Sequence, residues 1–339
     1  MKFVILNDTR EQPHFGCHRV MRTIEELLGK RGATVSARVF GTDRWEKDQR
    51  FLKALRVCDA ILINGEGSLH HGRPRAERVL KVVDHPLRQG KPVYIVNALY
   101  QANPPEWSRY LDKVDLILTR DSRSSRELSR VYSGPLHQAL DLSMHVQHPA
   151  DSITSRQRLA FGDSVDPATT QLLVDAYRKT QGSVFLPVMR TLKSRRPSWP
   201  APLRAWRDFY IHVHAKLNRW RDDSIRFVAD DHAFLHELEN SALHITGRFH
   251  GVCLSLLAQT PVLTVASNSW KIEALLDDLG LSRQRLITPQ ALRELDMTQL
   301  RLDFSAQEKE RMTEALAASR RMVESVFDRM AGVTRPTSA

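Results

Sequence analysis

The feature that most constrains the fold is a repeated alternation between short apolar runs and segments with helical spacing. The first half of the chain carries five runs rich in β-branched residues: KFVILN (2–7), TVSARVF (34–40), AILING (60–65), PVYIVNA (92–98) and DLILTR (115–120). Such runs, when separated by helices, are typical of buried strands in a parallel sheet. The first half therefore predicts a doubly wound α/β domain.

The alternation restarts after the polar segment HVQHPADSITSRQR (145–158). The second set of runs is LAFGDS (159–164), SVFLPV (183–188), IRFVAD (225–230), ALHITG (242–247) and PVLTVAS (261–267). A chain of 339 residues usually holds more than one core. We predict two tandem Rossmann-like domains over 1–150 and 151–330, facing a central cleft, with a closing helix over 305–330 and a flexible tail over 331–339.

Composition narrows the function classes. No apolar run approaches the roughly 20 residues that span a bilayer, and the start MKFVILNDTR turns polar too soon for a signal peptide, so a cytoplasmic protein is expected. Cys17, Cys58 and Cys253 have no disulfide or zinc-finger spacing and predict reduced thiols. His232 and His236 share a helix face but lack the glutamate of an HExxH motif, so no metal is predicted.

Polar residues that directly follow strands are the site candidates, because ligands of such sheets bind at the carboxyl ends of the strands. Arg248 and His250 open a helix after ALHITG, Lys271 follows PVLTVAS, and Arg120 ends DLILTR. A helix start favours an anion, so these residues predict an anionic ligand held across the cleft. The alternative is that Arg248 pairs with a structural acid and that His250 is a helix-start histidine without a chemical role.

Four segments carry a family resemblance. GRFHGVCLSLLAQTPVLTVASNSWKIEALLDDLGL (247–281) resembles the C-terminal motif of the polysaccharide pyruvyltransferase family, with Arg-x-His at a helix start and a lysine after the next strand. Three further segments match in the same order: HFGCHRVMRTIEELL (14–28), LINGEGSLHHG (62–72) and LILTRDSRSSREL (116–128). The first βα loop, NDTREQPHFGCH, departs from the family by being longer and more polar.

The resemblance implies a fold similar to GT-B glycosyltransferases. It also implies transfer of a pyruvyl group from phosphoenolpyruvate to two hydroxyls of a sugar, as a ketal, with no cofactor. Carried onto this sequence, it implies that Arg120, Arg248 and Lys271 hold the donor and that His250 transfers protons. Arg matches carboxylate and phosphate oxygens bidentately, which suits a donor with about three negative charges.

Two carboxylates are candidates for the accompanying acid/base work. Asp141 follows the short run HQAL and is a candidate partner of His250, with a helix or turn cap as the alternative. Glu66 lies in NGEGSLHHG, where it could bind a sugar hydroxyl or act as a base. The other residues of this segment that we assign to the acceptor are Gly65, Gly67, His70 and His71, the two histidines with solvent exposure as the alternative.

The net charge of +11 is concentrated in one segment, 188–221, which holds nine lysines and arginines and one acid. Three of the six tryptophans lie there, and an apolar helix face is predicted at Trp206, Phe209, Tyr210, Val213, Leu217 and Trp220. A basic aromatic helix is typical of a membrane-surface anchor, and the family's acceptors include lipid-linked glycans at the inner membrane face. The alternative is a core helix with a solvated basic face. Nucleic acid is disfavoured because no nucleic-acid-binding motif accompanies the charge.

Three functions fit these observations. The first is a pyruvyltransferase that acts on a surface-polysaccharide precursor. The second is a GT-B glycosyltransferase using a nucleotide-activated sugar, in which Arg248 and Lys271 neutralise the leaving phosphate. The third is a membrane-associated glycan-binding protein without turnover.

Overall fold

The computed structural model describes residues 1–10, 13–147, 156, 158–189, 199–218, 225–266, 269–297 and 300–333. By its internal contacts the chain forms two units. The first comprises 1–12, 20–146 and 311–339, and the second comprises 13–19 and 147–310. The predicted tail falls mostly outside the described residues, as do parts of the basic segment 188–221.

The first unit contains a parallel sheet of six strands in the order β2-β1-β3-β4-β5-β6. The strands are β1 Lys2–Asp8, β2 Thr34–Phe40, β3 Ala60–Asn64, β4 Val93–Ala98, β5 Leu116–Thr119 and β6 Leu136–Gln138. Its helices are α1 Phe15–Gly29, of which residues 15–19 belong to the second unit, and α2 Gln49–Val57, α3 Pro74–Leu80, α4 Ser108–Leu111 and α5 Ser122–Leu128. The chain order reverses between β1 and β3, which makes their carboxyl ends the topological switch point of this sheet.

The second unit contains a five-stranded sheet in the order β11-β10-β9-β7-β8. Its strands are β7 Arg158–Ser164, β8 Val184–Phe185, β9 Ser241–Gly247, β10 Val262–Val265 and β11 Leu286–Ile287. Its helices are α6 Pro167–Lys179, α7 Ala201–Asn218, α8 Asp231–Glu239, α9 Phe249–Leu257, α10 Lys271–Asp278 and α11 Pro289–Glu294. The order of the strands repeats that of the first sheet, so the switch point here lies between β7 and β9.

Alternate residues of the strands supply the cores on the two faces of the first sheet. Val4 and Leu6 belong to one apolar cluster, whereas Phe3 and Ile5 belong to the other. The second cluster is completed by the last helix, α12 Ala306–Met330, through Val323, Val326, Phe327 and Met330. Because of this packing, residues from 311 onward are part of the first unit, although the sequence analysis assigns them to the C-terminal domain.

The tandem doubly wound α/β fold is confirmed, and one predicted strand is wrong. The segment IRFVAD (225–230) forms a single bridge from Ile225 to Phe185 and no regular strand. The neighbouring edge strand β8 has only two residues, so it offers few backbone groups for a further strand to pair with. None of the described helices is both long enough and apolar enough to cross a membrane.

Candidate active site

The carboxyl end of β9 carries the residues that dominate the site of the second unit. Gly247 ends the strand where a Cβ atom would lie 2.6 Å from Ser164 Cβ, so only glycine fits this approach to β7. Arg248 follows in an extended conformation as the N-cap of α9, with φ −101° and ψ 128°. The strand therefore turns directly into the helix and leaves the Arg248 side chain at the switch point.

Arg248 is paired with a buried acid. Its Nε donates to Asp163 Oδ2 at 2.7 Å, and Asp163 is fully buried at the end of β7. The second Asp163 oxygen accepts from the Val188 backbone N–H at 3.0 Å. The structural-acid interpretation of Arg248 is thus correct for one edge of its guanidinium, while the Arg248 side chain keeps 20% of its surface exposed.

His250 is the second residue of α9 and is buried beside Gly16. A Cβ atom on Gly16 would come within 2.1 Å of His250 Cγ, so the imidazole packs directly on the glycine backbone. The ring also meets His14 edge to face, with centroids 4.9 Å apart and planes at 70°. The His250 ring therefore occupies space that only a glycine at position 16 leaves open, and a larger side chain there would displace the ring.

His14 is a buried histidine with positively charged side chains nearby. Its pKa lies well below the ordinary value, mainly because it is buried. His250 and the positive charges of Arg248 and Lys271 lower it further, and Lys271 is the first residue of α10. We name the group His14, Asp163, Arg248, His250 and Lys271 the basic site. It places three of the sequence-predicted residues together in a positive environment, in which His14 is neutral.

The switch point of the first sheet carries a different set of groups. Glu66 is buried and accepts a hydrogen bond from Thr9 Oγ1 at 2.7 Å. Asn7, in a left-handed conformation with φ 62°, donates to the carbonyl of Asn64 at 2.6 Å and accepts from Arg75 at 2.9 Å. We name Asn7, Thr9, Asn64, Glu66 and Arg75 the amide site, because amide, hydroxyl and carboxylate groups line it.

The glycines and histidines of NGEGSLHHG border the amide site. Gly65 approaches Ala98 so closely that a Cβ atom would lie 2.6 Å from Ala98 Cα, and Gly67 has φ 62°. His70 is buried and His71 is exposed, and their Nδ1 atoms share a hydrogen bond at 2.8 Å. The assignment of these residues to acceptor binding stays a prediction.

Arg120 and Asp141 form a buried ion pair in the first unit, with Nη1 and Oδ2 3.0 Å apart. Asp141 also accepts from Asn97 at 3.1 Å and from the Ser143 backbone at 2.9 Å, where it caps a short 3-10 helix. The capping alternative for Asp141 therefore holds in the structure. The assigned roles of Arg120 in donor binding and of Asp141 as the partner of His250 stay predictions.

Sequence reasoning missed Asp163 and His14. Asp163 could have been found, because it follows the strand run LAFG in the position that the strand-end rule selects. His14 could not, because its neighbour His250 comes from the other half of the sequence. A cavity of about 1400 Å³ in the second unit is lined by the amino-end residues Arg158, Gly182 and Asn240, so it lies at the opposite edge of the sheet from the basic site.

Comparison with known proteins identifies the family. The sequence profile of the polysaccharide pyruvyl transferases matches residues 18–269, which is well over half of the chain. The chain belongs to this family. Arg248 and His250 lie within the matched range, and Lys271 follows directly after it. Among curated proteins, no relative matches the sequence.

Solved structures with a similar fold are distant in sequence. A protein named as a UDP-N-acetylglucosamine 2-epimerase from Listeria monocytogenes has a TM-score of 0.52 at 12% identity, covering 99% of this chain and 98% of its own. MurG of Acinetobacter baumannii, at 13% identity and TM-score 0.47, and the glycosyltransferase SnogD of Streptomyces nogalater, at 13% and 0.49, cover 98% of this chain and 99% of theirs. Family and fold together identify a transferase-family protein with GT-B-like architecture.

Proposed function

We propose that this protein transfers a pyruvyl group from phosphoenolpyruvate to a sugar of a cell-surface glycan precursor and forms a cyclic ketal. The observation that supports the proposal is the basic site: Arg248 and His250 follow β9 at the switch point of the second sheet, and Lys271, the first residue of α10, lies close enough to His14 to lower its pKa. Family membership supports pyruvyl transfer in general. The charge of the basic site supports phosphoenolpyruvate as the donor.

The donor needs cations, and the basic site contains two, Arg248 and Lys271. Asp163 balances Arg248, and Lys271 adds a further positive charge. Phosphoenolpyruvate carries about three negative charges, which arginine and lysine can hold in charge-assisted hydrogen bonds. The backbone N–H groups at the start of α9 also favour an anion, because a helix N-terminus carries a partial positive charge.

The reaction requires one proton donor and one proton acceptor. Protonation of the methylene carbon of phosphoenolpyruvate makes the adjacent carbon electrophilic, and a sugar hydroxyl attacks it with loss of its proton. Phosphate then leaves, and a second hydroxyl attacks the same carbon to close the ketal. Of the two hydroxyl protons, one replaces the proton given to the methylene carbon and the other goes to the departing phosphate. Within the proposed reaction we assign proton transfer to His250, the role that the family resemblance implies for it, and Glu66 stays a candidate base from the sequence.

Calorimetric titration with phosphoenolpyruvate, and separately with CMP, UDP and GDP, tests the donor. We expect phosphoenolpyruvate to bind and Arg248→Lys to weaken it by roughly tenfold, because lysine loses the bidentate contact. Arg178→Ala, an exposed arginine of α6, is the matched control and should bind as the parent does. Selective binding of one nucleotide would instead support a glycosyltransferase, and donor binding without consumption would support a binding protein.

Removing Arg248 alone would confound this test, because Asp163 would be left buried and unpaired. The double variant Asp163→Asn with Arg248→Met removes both charges and keeps the volume. We expect it to lose phosphoenolpyruvate affinity by roughly 10- to 100-fold while remaining folded, since a charged hydrogen bond contributes about 1.5–3 kcal/mol. Unchanged affinity in this variant would refute the assignment of the donor to the basic site.

We further propose that α7 contacts an anionic membrane surface, where a lipid-linked acceptor would reside. Leu203, Trp206 and Phe209 follow one another at three-residue spacing and are 50%, 61% and 67% exposed. Arg204 and Arg207 lie on the same helix, and the Trp206 and Tyr210 rings stack at 6.0 Å. The core-helix alternative therefore fails for Trp206 and Phe209, and exposed aromatics beside arginines suit a negatively charged lipid interface.

Co-sedimentation with vesicles tests this contact. We expect binding to vesicles that contain phosphatidylglycerol, little binding to pure phosphatidylcholine, and a loss of at least about fivefold in Trp206→Ser with Phe209→Ser. Val57→Ser, which removes an exposed apolar side chain of α2, is the control and should leave binding unchanged. Equal binding by the α7 variant and the parent would refute the proposal.

A further inference from the structure

Three soft donor atoms converge next to the basic site. One ring nitrogen of His14, one of His250 and the Cys17 sulfur lie within 4.8 Å of one another, and all three residues are buried. His14 and Cys17 come from the segment at the start of α1, and His250 comes from α9. Two imidazoles and a thiol form a donor set that suits zinc and related transition metals.

His14 supplies a second, independent observation. Its Nδ1 is buried and has no hydrogen-bond partner among the described residues. Buried polar nitrogens are nearly always satisfied in folded proteins, and one without a protein partner calls for an ion or a water molecule. His14 is also held in place, because its backbone bridges to Met189 and its ring packs edge to face on His250.

The spacing of the donors allows a metal after a small adjustment. Zinc bonds of about 2.0–2.3 Å in a tetrahedron place donor atoms roughly 3.3–3.8 Å apart. The donors would therefore move together by about 1 Å, which rotation about the side-chain bonds of Cys17 and His14 can supply. His250 has less freedom, because its ring rests on Gly16.

The charged side chains around the three donor atoms influence which ligand can take the fourth position on the metal. The charge of Arg248 is balanced by Asp163, whereas Lys271 lies close enough to His14 to lower the pKa of its imidazole. Cys17 loses its proton when it binds a metal, so a divalent ion would add only one net positive charge. Three protein ligands leave a fourth position, and the positive surroundings favour an anion there.

We propose that His14, Cys17 and His250 bind a soft divalent transition-metal ion, with zinc as the first candidate, and that the bound ion inhibits the transferase by occupying a ring nitrogen of His250. Metal binding stands on the geometry alone. Its inhibitory effect rests on the proposed function, in which His250 moves protons. The two parts can therefore fail separately.

Titration of the metal-free, full-length protein with Co²⁺ tests binding without reference to activity. We expect a sulfur-to-cobalt charge-transfer band that disappears in Cys17→Ser and persists in the control Cys58→Ser, whose hydroxyl can keep the bond to the Leu55 carbonyl. His14→Gln should weaken Co²⁺ by at least about tenfold, since it removes one of three ligands, whereas His236→Gln should not. Absence of the band in the parent, or its persistence in Cys17→Ser, would overturn the site.

Zinc-edge X-ray absorption on the parent protein makes the test independent of how the variants fold. We expect one sulfur and two imidazole nitrogens in the first shell, and a shell without sulfur would refute the site. In assays with phosphoenolpyruvate, Zn²⁺ should inhibit the parent and leave Cys17→Ser unaffected. Binding without inhibition would reject the role of His250 and keep the metal site, and absent transfer in metal-free protein would reject the proposed function instead.

Discussion

The two switch points have the same topology and opposite chemistry. In the first unit the third strand ends at Asn64, and Gly65 and Glu66 follow it. In the second unit the third strand ends at Thr246 and Gly247, and Arg248 follows it. Both glycines permit a close backbone approach to a neighbouring strand. One position therefore presents a carboxylate beside neutral amides, and the other presents a cation beside histidines and a lysine.

The difference shows that one fold, used twice, can carry two kinds of chemical group at the same position. In the amide site the side chains of Asn7, Thr9 and Asn64 are buried and form hydrogen bonds within the site. The basic site instead leaves a cation, Arg248, partly exposed. The charged pair Arg120–Asp141 of the first unit does not alter this contrast, because it is buried and internally balanced.

The strongest test of the contrast is His250→Gln. We expect the transfer rate to fall by about 10²- to 10⁴-fold, because glutamine cannot exchange the proton, while the melting temperature stays nearly unchanged. Product formation from phosphoenolpyruvate and thermal unfolding would be measured on the same preparation. A large loss of stability with activity per folded molecule retained would make His250 a structural residue.

In the first unit, Asp141→Ala should act on stability. It leaves the Arg120 guanidinium buried without its carboxylate and removes a helix cap, so we expect the free energy of unfolding to fall by about 3–5 kcal/mol. Denaturant unfolding measures this loss. An activity loss at unchanged stability would show instead that Asp141 belongs to the reaction, as the sequence predicts.

Gly16→Ala tests whether the reaction depends on the position of the His250 ring in the second unit. The added methyl would overlap the His250 ring, so the ring must move, and we expect a rate loss of roughly tenfold or more. Rate constants at saturating phosphoenolpyruvate should fall more than donor affinity, because Arg248 and Lys271 are untouched. Gly29→Ala, in open space at the end of the same helix, is the control. Full activity in Gly16→Ala would refute the positioning role.

The smallest effect is expected at Glu308, an acid of the second unit outside the basic site. Burial raises its pKa, but hydrogen bonds from Arg285 and from the Ser305 and Ser282 backbones outweigh burial and lower it to about 2. The folded pKa lies below the ordinary value of 4.5, so this stabilisation is complete above 4.5 and is lost as the pH falls towards 2.

Glu308→Gln should therefore lower stability by about 1 kcal/mol at pH 7 and leave phosphoenolpyruvate affinity unchanged. Denaturant unfolding at pH 7 and at pH 3 measures this loss. The difference in the free energy of unfolding between parent and variant should shrink at the lower pH. If the stability difference between parent and variant grows at pH 3, the lowered pKa of Glu308 is wrong. If the variant binds phosphoenolpyruvate with a different affinity, Glu308 is not independent of the basic site.

The sequence predicts the strands well because their apolar runs are local signals. It fails at IRFVAD (225–230), where whether a strand forms depends on the two-residue edge strand β8. Arg248, His250 and Lys271 were predicted together because each follows a strand or opens the next helix. The contact of Gly16 and His14 with His250 was not predicted, because it joins segments that are more than 200 residues apart in the sequence.

The packing of α12 on the first unit has a consequence for biosynthesis. Phe3 and Ile5 of β1 share an apolar cluster with Val326 and Phe327, which are translated about 320 residues later. A strand of the first unit is thus completed by a helix that is made long after it. While the second unit can bury its sheet once residue 310 has emerged, the first unit keeps the part of this apolar face that α12 covers open to solvent until α12 has been translated, and exposed apolar surface of this kind favours aggregation.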